Sequence, residues 1–381
     1  MKKWKERLKA TIKIIQLISL GLILIFSQSP LNACTGIRLI AKDGSVVYGR
    51  SMEWGAFDLH SRVTIVPRGI VYKVDIPEHG KGMSWVGKYG YVGLDYVGKK
   101  TIIDGINEKG LSIGGFYHPG GYCKYPDFNK KTAYKSMTII EFLPYILSVA
   151  GDIEEAKKAI NDVFVVNFKD DKFSETGMHL MITDAKGKSI VVEWPNGKVK
   201  IFDAPLGVIT NAPSYDWHLT NLNNYLGLSQ TPHSSKTISG INFKPVGAGS
   251  GFVGLPGDFT PPSRFIRAVA FTQTARKTPT SKETIYELFR ILDNFNLGLG
   301  NAEGSDIATN NDDLMRSSTI WTTGYDLTNR IMYYHTQHNR RVRMIDLKKI
   351  DFSNIGNKII YLPMDKKKEQ DIEDITPKLN K

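Results

Sequence analysis

Short runs rich in apolar residues and broken by glycine-bearing turns fill the first part of the chain, which is the pattern of strands. Residues 35–42 and 46–52 form two such runs around Asp43-Gly44 and predict a hairpin. Further strands are predicted at 62–67, 70–75 and 91–96. A second hairpin reads as Thr101–Ile106, the turn Asn107-Glu108-Lys109-Gly110, and Leu111–Tyr117. The period then changes. Thr138 to Val149 is apolar at helical spacing, and Asp152-Ile153-Glu154-Glu155 opens a second helix with a capping-box pattern.

Strands return at Met178–Thr183, Ser189–Trp194 and, past the Asn196-Gly197 turn, Lys198–Phe202. Pro213–Leu226, Pro262–Thr274 and Lys282–Phe295 are predicted helical, and the glycine-rich stretch 246–257 is a predicted loop. Three late strands fit Ser318–Thr323, Arg330–His335 and Arg341–Leu347. No repeat or linker divides the chain. Strands, paired helices and strands again predict one α+β domain of antiparallel sheets covered by helices, over 34–364. The tail 365–381 is charged, lacks aromatics and is expected to be disordered.

The start of the chain obeys another rule. Lys2, Lys3, Lys5, Arg7, Lys9 and Lys13 precede an uncharged, mostly apolar run from Ile14 to Phe26 and the polar neck Ser27-Gln28-Ser29-Pro30. A basic head, a short apolar core and a polar neck make a secretory signal peptide, too short for a comfortable membrane span. Residues 1–33 are therefore expected to be removed, leaving a periplasmic or secreted protein with no stable membrane anchor. Those residues hold six cations and one Glu, so the formal charge of +12 falls to about +7 for the remainder. No basic stripe with interleaved aromatics appears, which argues against nucleic-acid binding.

Cleavage after Ala33 would leave Cys34 with a thiol and a free α-amine. Thiolates attack amide carbonyls, and a free cysteine has a pKa of about 8.5. An α-amine, near pKa 8, can exchange a proton with that thiol without a separate histidine. Leu31-Asn32-Ala33-Cys34 is also compatible with a lipobox, in which the cysteine is acylated; this is the rival reading, an envelope lipoprotein or acyl-amide binding module without catalysis. Asn32 is poor for a lipobox, and Thr35-Gly36-Ile37-Arg38-Leu39-Ile40 runs straight into a strand instead of a polar tether. The chain has two cysteines, which rules out a disulfide scaffold; Cys123, in a loop, reads as incidental surface or packing.

Cys34-Thr35-Gly36, the Asp43-Gly44 turn and Gly49-Arg50-Ser51-Met52-Glu53-Trp54 resemble the opening of the choloylglycine hydrolase family, within the N-terminal nucleophile superfamily. That family includes bile salt hydrolases and penicillin V acylases. Asn107-Glu108-Lys109-Gly110-Leu111, Thr210-Asn211-Ala212-Pro213, Asn221-Leu222-Asn223-Asn224-Tyr225 and Gly254-Leu255-Pro256-Gly257-Asp258 with Ser263-Arg264-Phe265 continue the resemblance in the family's order. It implies a four-layer αββα sandwich that hydrolyses a linear, non-peptide amide through a thioester, with no cofactor and no metal, and it allows a homotetramer. It implies Cys34 as nucleophile, Arg50 as its cationic partner, Asn211 as an oxyanion donor and Arg264 completing the charged network. Glu53 stands where the family usually has an Asp that orients the α-amine. Tyr117 occupies the position that is Asn in bile salt hydrolases, and Trp54 looks like the Gram-negative branch. These two residues rank the small-molecule amide substrates as penicillin V, then N-acyl homoserine lactones, then conjugated bile salts.

Strand parity sets an internal test. Arg50 and Glu53 face opposite sides of a regular strand. A two-residue loop at Asp43-Gly44 would set Glu53 opposite Cys34, whereas a three-residue loop would put Arg50 on the cysteine's face. Both serve one site only if the strand bends, bulges or ends between them, and that is the expectation. Other motifs carry little. Gly110-Leu111-Ser112-Ile113-Gly114 matches a nucleophile elbow without the helix that must follow. Gly247-Ala248-Gly249-Ser250-Gly251 lacks the strand–turn–helix setting of a phosphate loop. His335 and His338 lack a third ligand.

Overall fold

The computed structural model describes residues 33–54, 58–96, 101–119, 121–168, 177–301, 315–356 and 358–376. The predicted signal segment, apart from Ala33, lies outside them. Among the described residues no helix is long and apolar enough to cross a membrane.

Two antiparallel sheets form the centre. The first has six strands in the order Val208–Ile209, Cys34–Ile40 (β1), Val46–Glu53 (β2), Thr319–Asp326, Ile331–Thr336 and Arg343–Asp346. The second has eight, ordered Lys200–Asp203, Ser189–Glu193, Met178–Thr183, Ser112–Tyr117, Ile102–Asn107, Tyr91–Asp95, Arg62–Val66 and Ile360–Pro363. Helices Pro261–Thr274 and Ser281–Leu292 pack on the first sheet and Ile139–Val149 on the second, with Ile153–Asn161 beside it. The layers are α, β, β, α, an α+β sandwich as the chain pattern and the resemblance implied. The sheets face each other closely where side chains are missing: a Cβ on Gly36 would lie 2.6 Å from the Phe116 ring of the opposite sheet.

Local chemistry explains the boundaries. Thr138 accepts from Ile140 N at 3.2 Å and Glu141 reaches back to Thr138 N at 3.1 Å, a full capping box. At the next helix Asp152 accepts from Glu155 N at 3.1 Å, but the Glu155 carboxylate takes the Gly151 N–H, one residue early, so the predicted box is half formed. The helix predicted over Pro213–Leu226 is shorter, Tyr215–Asn221, followed by a tight turn. The strands Gly80–Val86, Val208–Ile209 and Ile360–Pro363 were not predicted; the last two are short and defined by their partners. Among its described residues, 365–376, the tail expected to be disordered has no strand or α-helix, yet its start is tied down. Asp365 accepts from Thr336 Oγ1 at 2.8 Å and pairs with Arg343 at 2.5 Å, and Lys368 pairs with Asp58 at 3.4 Å.

Candidate active site

The β1–β2 turn decides the face on which each side chain emerges. Ala41 N donates to Ser45 O at 2.9 Å, and Gly44 has φ +84°, the left-handed residue that a three-residue hairpin loop needs. The loop is Lys42-Asp43-Gly44, the second of the two alternatives. In this register Cys34 lies opposite Met52, and Gly36 opposite Arg50. Cys34, Met52 and Arg50 therefore share one face, and the Cys34 Sγ is 3.8 Å from the Met52 Sδ.

Glu53 has the other parity and reaches the site because regular pairing stops there. Glu53 is the last residue of β2, and in the adjoining strand it pairs with Thr319 while Met52 pairs with Trp321, so Ile320 is extra. This bulge twists the strand end. Thr319 Oγ1 donates to the Glu53 carboxylate at 3.1 Å. Burial pushes Glu53 up to about 7, opposed by the Ser51 and Thr319 hydroxyls and by the charges of Arg264 and Arg50.

Arg50 is fully buried. Its guanidinium lies 4.3 Å from the Phe116 ring centroid and 5.4 Å from that of Trp321, and it donates to the carbonyls of Ser51, at 3.2 Å, and Gly115. Asp104, from the opposite sheet, is its deep counter-charge; the Thr323 and Tyr325 hydroxyls each donate to that carboxylate at 2.6 Å, and burial holds it up to about 6. Arg264 stands in the first turn of the Pro261–Thr274 helix. It donates to the Cys34 carbonyl, to Thr35 Oγ1 at 2.9 Å and to Asn211 Oδ1 at 2.6 Å. Burial lowers it to about 10, so it stays charged at neutral pH.

Asn211 follows the Val208–Ile209 edge strand. Its Oδ1 accepts from Cys34 N at 2.9 Å, and its Nδ2 donates to the Tyr117 carbonyl at 2.8 Å. An amide nitrogen carries two hydrogens, so one remains for an oxyanion. The carbonyls of Thr210 and Asn211 are held in turn by two buried histidines, His179 Nε2 at 2.9 Å and His218 Nε2 at 2.8 Å.

The thiol opens onto an apolar pocket lined by Met52, Trp54, Leu59, Tyr96, Ile103, Gly115, Tyr117 and Met178. With Ala33 still attached, burial raises the Cys34 thiol; Arg50 and Arg264 pull it down, and Glu53 adds to the rise. The chain thus brings Cys34, Arg50, Glu53, Asn211 and Arg264 together, with Tyr117 and Trp54 in the pocket wall. Sequence reasoning missed Met52, Thr35, Asp104, His179 and His218. Asp104 had a signal, a carboxylate inside the apolar run Ile102-Ile103-Asp104-Gly105-Ile106; the histidines had none. Cys123 is buried and unpaired, and burial pushes its thiol up to about 11, as suits packing. His338 pairs with Asp58 at 3.3 Å.

Comparison with known proteins is consistent along the whole described domain. Residues 34–361 match the family of linear amide C–N hydrolases, choloylglycine hydrolase family. A bile salt hydrolase/transferase of Clostridium perfringens is 33% identical over 338 residues, 86% of this chain and 95% of that protein. A penicillin V acylase of Pectobacterium atrosepticum is 25% identical, over 96% of this chain and 93% of that one. Among solved structures, a variant of conjugated bile acid hydrolase from Clostridium perfringens superposes with a TM-score of 0.76 at 30% identity, covering 90% of this chain and 100% of the other. Penicillin V acylase from Agrobacterium tumefaciens gives 0.68 at 25% identity, over 87% and 91%.

Proposed function

The chain belongs to the choloylglycine hydrolase family of linear amide C–N hydrolases, and from that premise we propose that it is an exported amidase whose nucleophile is made by signal removal. Cleavage after Ala33 frees the Cys34 α-amine. The amine takes the thiol proton, and the thiolate attacks the amide carbon. The tetrahedral oxyanion is met by the remaining Asn211 N–H; the C–N bond breaks as the α-ammonium protonates the leaving amine, and a thioester remains. Water then attacks the thioester, giving its proton to the α-amine, and the acid leaves as the thiol is restored. Arg50 keeps the sulfur anionic, Glu53 orients the α-amine, and Arg264 fixes the Cys34 carbonyl and Asn211 together.

The observation that carries this reading is that every group of Cys34 is engaged. Its N–H lies on Asn211, its carbonyl on Arg264, and its sulfur at the mouth of an apolar pocket. Intact mass of the exported protein tests it: a free N-terminal cysteine supports the amidase, and a lipid adduct on Cys34 supports the anchored binding module instead.

The pocket walls, aromatic at Trp54, Tyr96 and Tyr117, suit a flat aromatic or linear acyl group, which keeps penicillin V first and N-acyl homoserine lactones second. A bile-salt reading is favoured by the higher identity to the bile salt hydrolase, 33% against 25% for the penicillin V acylase. Kinetics on the three amide classes separate them; glycine or taurine conjugates cleaved far faster than the others would reverse the order. The same proposal puts the mature protein in the periplasm or medium, as a homotetramer by family resemblance, which light scattering tests.

A further inference from the structure

Behind Asn211 lies a cluster that the amidase reaction does not use. His118 follows the Ser112–Tyr117 strand, His179 is in Met178–Thr183 and Glu193 ends Ser189–Glu193, so three neighbouring segments of the eight-stranded sheet converge. The three side chains are buried and offer ligand atoms all within 4.8 Å of one another. His179 Nε2 faces the Thr210 carbonyl at 2.9 Å, and because a carbonyl can only accept, that nitrogen carries the hydrogen. The neutral ring then presents its Nδ1 lone pair to Glu193 Oε1 at 3.1 Å. The same oxygen already accepts from Tyr215 N at 2.9 Å. Lone pair therefore faces lone pair.

His118 adds a second, independent observation. It is 1% exposed, and among the described residues neither ring nitrogen has a hydrogen-bond partner. Its Nδ1 is 3.9 Å from the same Glu193 oxygen, beyond hydrogen-bond reach. The unpartnered His118 ring, His179 Nδ1 and the Glu193 carboxylate thus share one small buried space.

We propose that His118, His179 and Glu193 bind one divalent transition-metal ion of the zinc class, with water completing a tetrahedron. Bonds of about 2.0–2.2 Å to nitrogen and oxygen put tetrahedral ligand atoms about 3.3 Å apart, between the 3.1 and 3.9 Å separations found here. Two imidazoles and a carboxylate are a borderline-soft set suited to zinc rather than to calcium or magnesium. The His179 Nε2–H bond to the Thr210 carbonyl is the outer hydrogen bond that fixes the ring of a metal-ligating histidine. The ion is a staple: it ties three strand ends to the carbonyl one residue before Asn211. Tyr122, half exposed, lies over His118 with ring centroids 5.8 Å apart and gives an entry path on moving aside. The metal site stands without the amidase reading; only its effect on activity depends on it.

The test uses the full chain as purified and carrying Cys34→Ala, so that the reactive thiol cannot supply a ligand. The protein is incubated with Zn2+ alone, dialysed, and its metal measured by mass spectrometry. About one equivalent per chain is expected, with a thermal midpoint that rises with Zn2+ and falls with chelator. Glu193→Gln and His118→Gln, both near-isosteric, should each weaken binding at least tenfold. Co2+ in place of zinc should give visible d–d bands without thiolate charge transfer. Less than a tenth of an equivalent in a chain shown folded by circular dichroism, with a midpoint indifferent to Zn2+ and chelator, would overturn the site and leave a proton on Glu193 as the occupant. Zn2+ binding by either glutamine variant as tight as that of the parent chain would also overturn it.

Discussion

The two sheets contribute unlike walls to one site. From the six-stranded sheet and the helix behind it come Cys34, Arg50, Glu53, Asn211 and Arg264, which carry charge or hydrogen-bonding groups toward the cysteine. From the eight-stranded sheet come Ile103, Gly115, Tyr117 and Met178, which give the sulfur an apolar floor, with Asp104 set back behind Arg50. On the first wall, a buried ion that loses its partner leaves the other uncompensated, at about 3–5 kcal/mol. On the second, a change of shape alters what fits, and a methylene in such a pocket is worth about 1–3 kcal/mol. On the proposed mechanism, the first wall would carry the reaction and the second would select the acyl group.

The sharpest break in that contrast is removal of the sulfur. Cys34→Ala should lower turnover by about ten-thousand-fold while shifting the thermal midpoint little, because the backbone bonds to Asn211 and Arg264 survive; steady-state assays and calorimetry check this. Next come the donors. Asn211→Ala should cost about a hundred- to a thousand-fold in kcat, and Arg264→Leu a similar loss together with a lower midpoint, since two Asn211 and Cys34 oxygens lose a charged partner.

Glu53 tests the charged wall by pH. Its folded pKa, about 7, is above the ordinary glutamate value of 4.5, so the folded state holds the proton more tightly. That contribution is fully present below pH 4.5 and is lost as pH rises through about 7, which costs on the order of 3 kcal/mol at pH 8. Glu53→Gln should therefore raise the midpoint at pH 8 more than at pH 4.5, yet lower activity by about ten- to a hundred-fold. A variant that gains neither stability nor loses activity would remove Glu53 from the site. The smallest effect belongs to the apolar wall. Tyr117→Ala or Ile103→Ala should change kcat/KM between acyl groups by about tenfold, mostly through KM, and leave the pH profile in place.

Much of this was readable before folding. The β1–β2 hairpin and the helix after Thr138 follow from local signals, turn residues and helical spacing. Ala33-Cys34 marks the candidate nucleophile by its place after a signal-like segment. Arg50 and Glu53 could be named, but not how both reach one cysteine, since that hangs on a loop one residue longer and on a bulge in a strand that begins at Thr319. The short strand Val208–Ile209, which delivers Asn211, has too few residues to show a period.

The linear order of residues thus determined what is governed by neighbours a few positions apart: hairpins, helix starts and the spacing of apolar positions along the helices. Only the tertiary structure decided the register that puts Arg50 beside Cys34, the Asp104 counter-charge, the pocket drawn from separate segments of both sheets, and the histidines that hold Thr210 and Asn211. The reason is distance along the chain. Arg264 meets Cys34 across 230 positions and Asn211 meets it across 177, and contacts of that span leave no periodic trace, because their geometry exists only once both sheets have closed on each other.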